Sequence, residues 1–308
     1  MKKLFINTLI VLIFFVHDAA YAENNEKPEK SQFDFFGSLA TKVVYSTGIS
    51  DPYTYNRTDV TGGFKSEYID FSAYIRRYFN FQVTDGSGVY EYRSFNEAGM
   101  SLKAHLFSIV NLSGEYSRAD DFNDLKRDTY YGAIEMDFSR VTLSADYSRE
   151  NFEYKMNSNV IRTEKQNYSF TMDFNFTDSF SADAGYKHDN TYFNSLGYNY
   201  YKDIFRAGLT IVPADYLFLI TGASGGKDSE DYTIYGADCG ATLRLYSSFK
   251  VYLIYSFSYY DAPQTETSGG GGGGHGHGAG STNPYLSSDR IGKSYYSHAI
   301  TVGMSVTF

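Results

Sequence analysis

Between residues 168 and 187 apolar and polar side chains alternate with period two on both sides of a tight turn. Tyr168, Phe170, Met172, Phe174 and Phe176 stand on one face, opposite Asn167, Ser169, Thr171, Asp173 and Asn175. After Thr177-Asp178-Ser179 the chain returns as Phe180, Ala182, Ala184 and Tyr186, opposite Ser181, Asp183, Gly185 and Lys187. A helix turns every 3.6 residues and cannot keep such a face, whereas a strand alternates at every residue. The form recurs at Val141, Leu143, Ala145 and Tyr147, and again at Val251, Leu253, Tyr255, Phe257 and Tyr259. It returns once more at Tyr296, His298, Ile300, Val302, Met304, Val306 and Phe308. The chain is therefore a succession of antiparallel hairpins with one apolar face.

The pattern predicts strands near 33–45, 64–75, 77–84, 89–105, 109–117, 129–138, 141–149, 166–176, 180–188, 201–212, 216–223, 232–246, 249–260 and 294–308. That makes fourteen, with Arg76-Arg77 and the Asp85-Gly86-Ser87-Gly88 segment read as turns. Twelve is the alternative if 64–105 holds two fewer. Short turns fall near 107–109, 138–140, 177–179, 213–215 and 246–249. Longer polar connections fall at 118–128, 150–165, 189–200, 224–231 and 261–293.

The other end of the chain is a leader. Lys2 and Lys3 precede an apolar run from Leu4 to Val16, and Ala20-Tyr21-Ala22 offers small residues to a signal peptidase. Cleavage is expected between Ala22 and Glu23, leaving residues 23–32 as a solvated periplasmic tail before a barrel over 33–308. The leader's run is too short for the ~30 Å of a bilayer core, and no run of ~18 apolar residues follows it. Aromatic residues make up 18% of the chain, 31 Tyr and 25 Phe with no Trp, a proportion suited to the girdles of a membrane barrel. Phe107, Phe138, Phe176, Phe180 and Phe249 fall near the short turns; Tyr116, Tyr130, Tyr147, Tyr168, Tyr186, Tyr232 and Tyr259 fall toward the long connections.

The leader, the even strand count, the short-turn and long-loop asymmetry and the aromatic last strand ending in Phe308 resemble Gram-negative outer-membrane β-barrel proteins. The likeness is to the porin-like class and matches no specific family motif. It implies an all-β, closed, antiparallel transmembrane barrel set in outer-membrane lipid and lipopolysaccharide, and residues 23–32 before the first strand are too few for an amino-terminal plug domain. It also implies that Phe308 is the signal read by the barrel-assembly machinery.

The second face of each strand then lines a lumen. Its predicted members are Glu97, Lys103, His105, Glu135, Asp137, Asp146, Asp173, Asp183, Lys187, Arg206, Asp238 and Arg244. Fourteen strands lie between barrels filled by side chains and those that leave an aqueous channel. The expected function is passive diffusion of small hydrophilic solutes or ions. Seven acids against four bases predict a mild cation preference. Two alternatives are a non-conducting surface barrel whose loops bind a partner, and the sheath of an electron-transfer conduit. The formal net charge of -9, with no Lys/Arg cluster, argues against nucleic acid.

No enzyme is predicted. His105, His188 and His298 each lack a Ser two residues away, and the neighbours His188 and Asp189 project to opposite faces. No cofactor is expected, since Cys239 stands alone and reads as an inert, lipid-facing residue. Within the 261–293 loop, Gly269 to Gly274 leads into His275-Gly276-His277. These two His are candidates for a divalent metal or for pH sensing, against a tolerated low-complexity insertion.

Overall fold

A computed structural model describes residues 33–47, 55–84, 90–106, 109–120, 125–156, 159–194, 197–246, 248–263 and 293–308. Residues 1–32, which hold the expected leader and tail, and the Gly/His segment with His275 and His277 lie outside the described residues. Fourteen strands follow in order: β1 (Asp34–Thr47), β2 (Tyr55–Lys65), β3 (Ile69–Thr84), β4 (Tyr90–Leu106), β5 (Val110–Asp120), β6 (Leu125–Asp137) and β7 (Val141–Met156). Then come β8 (Asn159–Thr177), β9 (Phe180–Phe193), β10 (Tyr198–Ala214), β11 (Leu217–Asp228), β12 (Thr233–Tyr246), β13 (Phe249–Asp261) and β14 (Tyr295–Thr307). Each pairs antiparallel with its sequence neighbours, and β14 pairs with β1, so the sheet closes into a barrel. Closure is what lipid requires, because an open edge would leave backbone N–H and C=O groups unpaired in hydrocarbon. Among the described residues no helix is long and apolar enough to cross a membrane.

Two faces follow from the register. One carries Phe35, Val43, Val60, Ile75, Met100, Leu102, Leu112, Ile134, Phe170, Leu209, Leu219, Leu253, Ile300, Val302 and Met304, all exposed large apolar side chains. Apolar groups so displayed have no stable place in water and belong against lipid. Cys239 lies on this face, directly across from Thr221 and Tyr255. A charged, membrane-impermeant thiol reagent is therefore expected to leave Cys239 unmodified in lipid vesicles and to modify it after detergent denaturation. Modification in intact vesicles would place the residue on the wrong face.

The count of fourteen holds, but two of its members were misdrawn. Arg76-Arg77 is not a turn: β3 runs unbroken through it, with Arg76 opposite Asp59 and Glu97 on one face and Arg77 bonded to Asn96 on the other. The expected strands 64–75 and 77–84 are thus one strand beyond Lys65. The missing strand is β2, whose Tyr55-Asn-Arg-Thr-Asp-Val-Thr-Gly-Gly-Phe-Lys sequence has little alternation to read. Its inward residues mix charges (Arg57, Asp59, Lys65) with Tyr55, Thr61 and Gly63, and its outward ones are mostly small or polar.

The expected long connections at 118–128, 150–165, 189–200 and 224–231 are mostly strand. The ladders of β7 and β8, for example, continue from Val141↔Phe174 to Met156↔Asn159. Above the lipid both faces of a strand meet water or polar neighbours, so alternation is lost while the backbone ladder persists. Nor is the aromatic sorting clean. Tyr68, Tyr216 and Tyr246 are exposed at the tight-turn end, and Tyr232 is buried among inner-face residues rather than in a girdle.

Candidate functional site

The site is the inner face of the barrel. Fourteen strands ~4.8 Å apart and tilted ~40° close on a backbone cylinder roughly 28 Å across, wide enough for water unless side chains fill it. All twelve residues expected on this face have its parity in the register. Asp59, Arg76 and Glu97 lie in one cross-strand row, as do Asp173, Asp183 and Gly208 in another. Contacts that skip strands identify the concave side, since only there do side chains two or three strands apart converge. Arg76 of β3 reaches Glu115 of β5, Lys103 of β4 reaches Glu135 of β6, and Arg127 of β6 reaches Tyr78 of β3.

The half of this face formed by β2–β7 is packed solid at mid-height. Arg127 donates to Glu97 at 2.9 Å and to Glu150 at 2.5 Å. Arg76 donates to the other oxygen of Glu97 at 3.0 Å, lies 3.8 Å over the Tyr74 ring, and meets Asp59, which also takes Arg57 at 2.6 Å. The Tyr74 hydroxyl donates to Glu115. Glu97 is 2% exposed and Ser117 1%. Above these charges an apolar cluster of Tyr78, Phe95, Ala119, Leu125, Tyr154 and Ile161, with Tyr55, Phe81 and Phe152 packed against it, occupies the loop end of the same half. Tyr78 and Phe95 stack at 4.6 Å. The cluster lies above Glu97, the one carboxylate of the network shut off from solvent, which strengthens its pairing with Arg76 and Arg127. At the tight-turn end the half finishes in a polar set: His105 contacts Asp70 and Asn111, and Asn111 donates to Glu135 at 2.8 Å.

The other half has small inward residues at mid-height: Gly208, Gly222, Ser224, Gly236, Gly240, Ser256, Ala299 and Gly303. Among them Arg206 lies between two carboxylates, Asp183 at 2.6 Å and Asp238 at 3.1 Å. This triad spans β9 to β12 and lies flat on the wall because the positions beneath it are glycines. A Cβ at Gly222 would come within 2.8 Å of Asp238 and 2.9 Å of Arg206, and one at Gly208 would collide with Asp183. Nearby, Lys187 pairs with Asp189 at 2.7 Å. Arg206 is 41% exposed and Lys187 52%.

Sequence reasoning missed the central members of the packed half, Arg57, Asp59, Arg76, Glu115, Arg127 and Glu150. Arg57, Asp59 and Arg76 were hidden by the misdrawn β2 and β3, Arg127 and Glu150 lay in segments expected to be connections, and Glu115 lay within an expected strand but was not singled out. His188 is an outward residue and bonds Asp203 across the hairpin at 2.8 Å, not its neighbour Asp189. His298, also outward, contacts the Tyr255 hydroxyl at 2.6 Å. Among the described residues no three His, Cys, Asp or Glu are grouped to hold a metal ion.

No family model matches the chain, and no curated protein sequence matches it. Solved structures do. A bacterial polysaccharide outer membrane secretin is similar over 89% of this chain and 98% of its own, at 8% identity and a TM-score of 0.56. The CymD monoaromatic hydrocarbon channel is similar over 91% of this chain and 90% of its own, at 6% identity and a TM-score of 0.54. An anion-selective porin from Comamonas acidovorans aligns over 90% and 99% at 10% identity, with a TM-score of 0.46. At such identities the likeness is one of fold, and the fold is that of the outer-membrane β-barrels.

Proposed function

We propose that this chain is a channel for passive diffusion of small hydrophilic solutes and ions across the outer membrane of a Gram-negative bacterium. The observation that carries this reading is the half-exposure of Arg206 and Lys187, inward side chains of a closed barrel that meet solvent only if the lumen holds water. Water that wets charged groups at mid-height is a medium for other polar solutes. No catalytic role is part of the proposal, since transport of this kind needs only a wet, wide path.

A mild cation preference accompanies it. The seven-to-four excess of acids comes from the twelve residues legible in the sequence. The register adds Lys42, Arg57, Lys65, Arg76, Arg93, Arg127, Lys165, Lys202 and Lys250 as well as Asp34, Asp59, Asp70, Glu115, Glu150, Asp189 and Asp228, so the balance is closer and the preference correspondingly weak. Refolded protein in a planar bilayer is expected to give stable open steps, with a reversal potential in a salt gradient slightly on the cation side. Silence from protein shown to be folded would remove the channel reading, and an anion-side reversal potential would remove the preference.

A further inference from the structure

The two halves of the inner face differ too much to share one role. From β2 to β7 the lumen is occupied at mid-height by a neutralised lattice of Arg57, Asp59, Arg76, Glu97, Arg127 and Glu150 under an apolar cap. Its ion pairs are short, and at its centre Glu97 and Ser117 are shut off from solvent. From β9 to β14 the inward positions at the same level include Gly208, Gly222, Ser224, Gly236, Gly240, Ser256, Ala299 and Gly303, and the larger Ile220, Ile254 and Tyr252 lie close against Gly240 and Gly303. Other barrels occupy the lumen with a loop or a separate segment, whereas here the strands themselves fill one side.

We infer that the barrel carries its own plug in its β2–β7 wall, and that the solute path is an eccentric channel along the β9–β14 wall. The residue that sets its charge preference is Arg206. This rests on the channel reading and specifies where in the lumen transport occurs. Arg206 is suited to the role because it is the cation of a triad with a net negative charge, half exposed to the path and fixed in place by Asp183 and Asp238. Glycines beneath the triad keep it from projecting across the path. At the centre of the packed half Glu97 is shut off from solvent and paired with both Arg76 and Arg127, so these charges contribute less field to the solute than the more exposed Arg206. Removing the cation leaves two uncompensated carboxylates facing the path. Removing one carboxylate leaves a neutral pair.

The test uses the full chain with Cys239→Ser, refolded into lipid vesicles, and a charged methanethiosulfonate as probe. Ser256→Cys, on the open wall, is expected to gain the probe's mass, whereas Ser117→Cys, in the packed half, is expected to remain unmodified until the protein is denatured. Both changes replace a hydroxyl with a thiol, and folding is read independently from gel mobility without boiling. Equal labelling of the two positions, or labelling of Ser117→Cys alone, would overturn the inference. Labelling does not require current, so a barrel that labels at Ser256→Cys but never conducts would sink the channel reading while leaving the partition of the lumen intact.

In bilayers Arg206→Gln is expected to raise the cation-to-anion permeability ratio by about twofold or more, with Asp238→Asn shifting it the opposite way. A ratio unchanged in Arg206→Gln would refute the part assigned to Arg206, whatever the labelling shows.

Discussion

Arg127→Met is expected to destabilise the folded barrel by about 3–5 kcal/mol, the usual loss when one partner of a buried ion pair is removed and the others stay behind. Arg127 is the only cation bonded to both Glu97 and Glu150 in the described network, and it bonds each at hydrogen-bonding distance. Without it Glu97 keeps only Arg76 and Glu150 keeps only Lys165, which faces it across the β7–β8 ladder, with the apolar cap above both. Urea titration in detergent micelles, read by far-UV circular dichroism, checks this as a fall in the unfolding midpoint. The control distinguishes lost charge balance from lost packing. Adding Glu97→Gln and Glu150→Gln to Arg127→Met is expected to recover much of the loss, since amides cost far less than carboxylates to bury unpaired. A midpoint that does not move in Arg127→Met would mean that the network is solvated and the packed half is not dry.

Much of the fold was legible in the sequence for a plain physical reason. A strand between lipid and a wet lumen must alternate, so β8, β9, β13 and β14 announce themselves residue by residue. The same reason explains the failures. Where the strands rise beyond the lipid, as at 153–156 and 159–162, nothing forces alternation, and polar strand reads as loop. Where the inner face is charged and the outer face sparse, as in β2, the period is faint. The adjacent arginines of β3 looked like a turn because two charges in succession rarely suit a strand. In this one Arg76 finds acids inside while Arg77 finds Asn96 outside at the outer interface. The twelve expected inward residues share a face because parity is a local property. Which of them pair, and which side of the lumen is filled, depends on strands far apart in sequence, and no single segment encodes that.

The seam between β1 and β14 should be equally sensitive, through Gly37 and Phe308. The Gly37 N–H donates to the Phe308 carbonyl at 2.7 Å, and the Phe308 N–H donates to the Gly37 carbonyl at 2.9 Å. The Phe308 ring lies on Gly37 so closely that a Cβ there would collide with it. An aromatic ring covering a cross-strand glycine shields its otherwise bare backbone. Here it does so where the ladder from Ser38↔Thr307 to Thr47↔His298 joins the two strands most distant in sequence. That ladder carries the largest loop-closure cost in the fold, so its last contacts have disproportionate weight in closing the barrel. Phe308→Ala is expected to cost about 2–3 kcal/mol, somewhat below the range for a fully buried Phe because this residue is only partly buried. Gly37→Val should cost at least as much, by forcing the ring off the seam. The two losses should not add. Once the ring is gone the valine has room, so the double variant should lie well above the sum of the singles in stability, and refolding into vesicles should be slowed about as much as in Phe308→Ala alone. Strict additivity in that cycle would show that the ring and the glycine act independently and that the seam is closed by its backbone ladder alone.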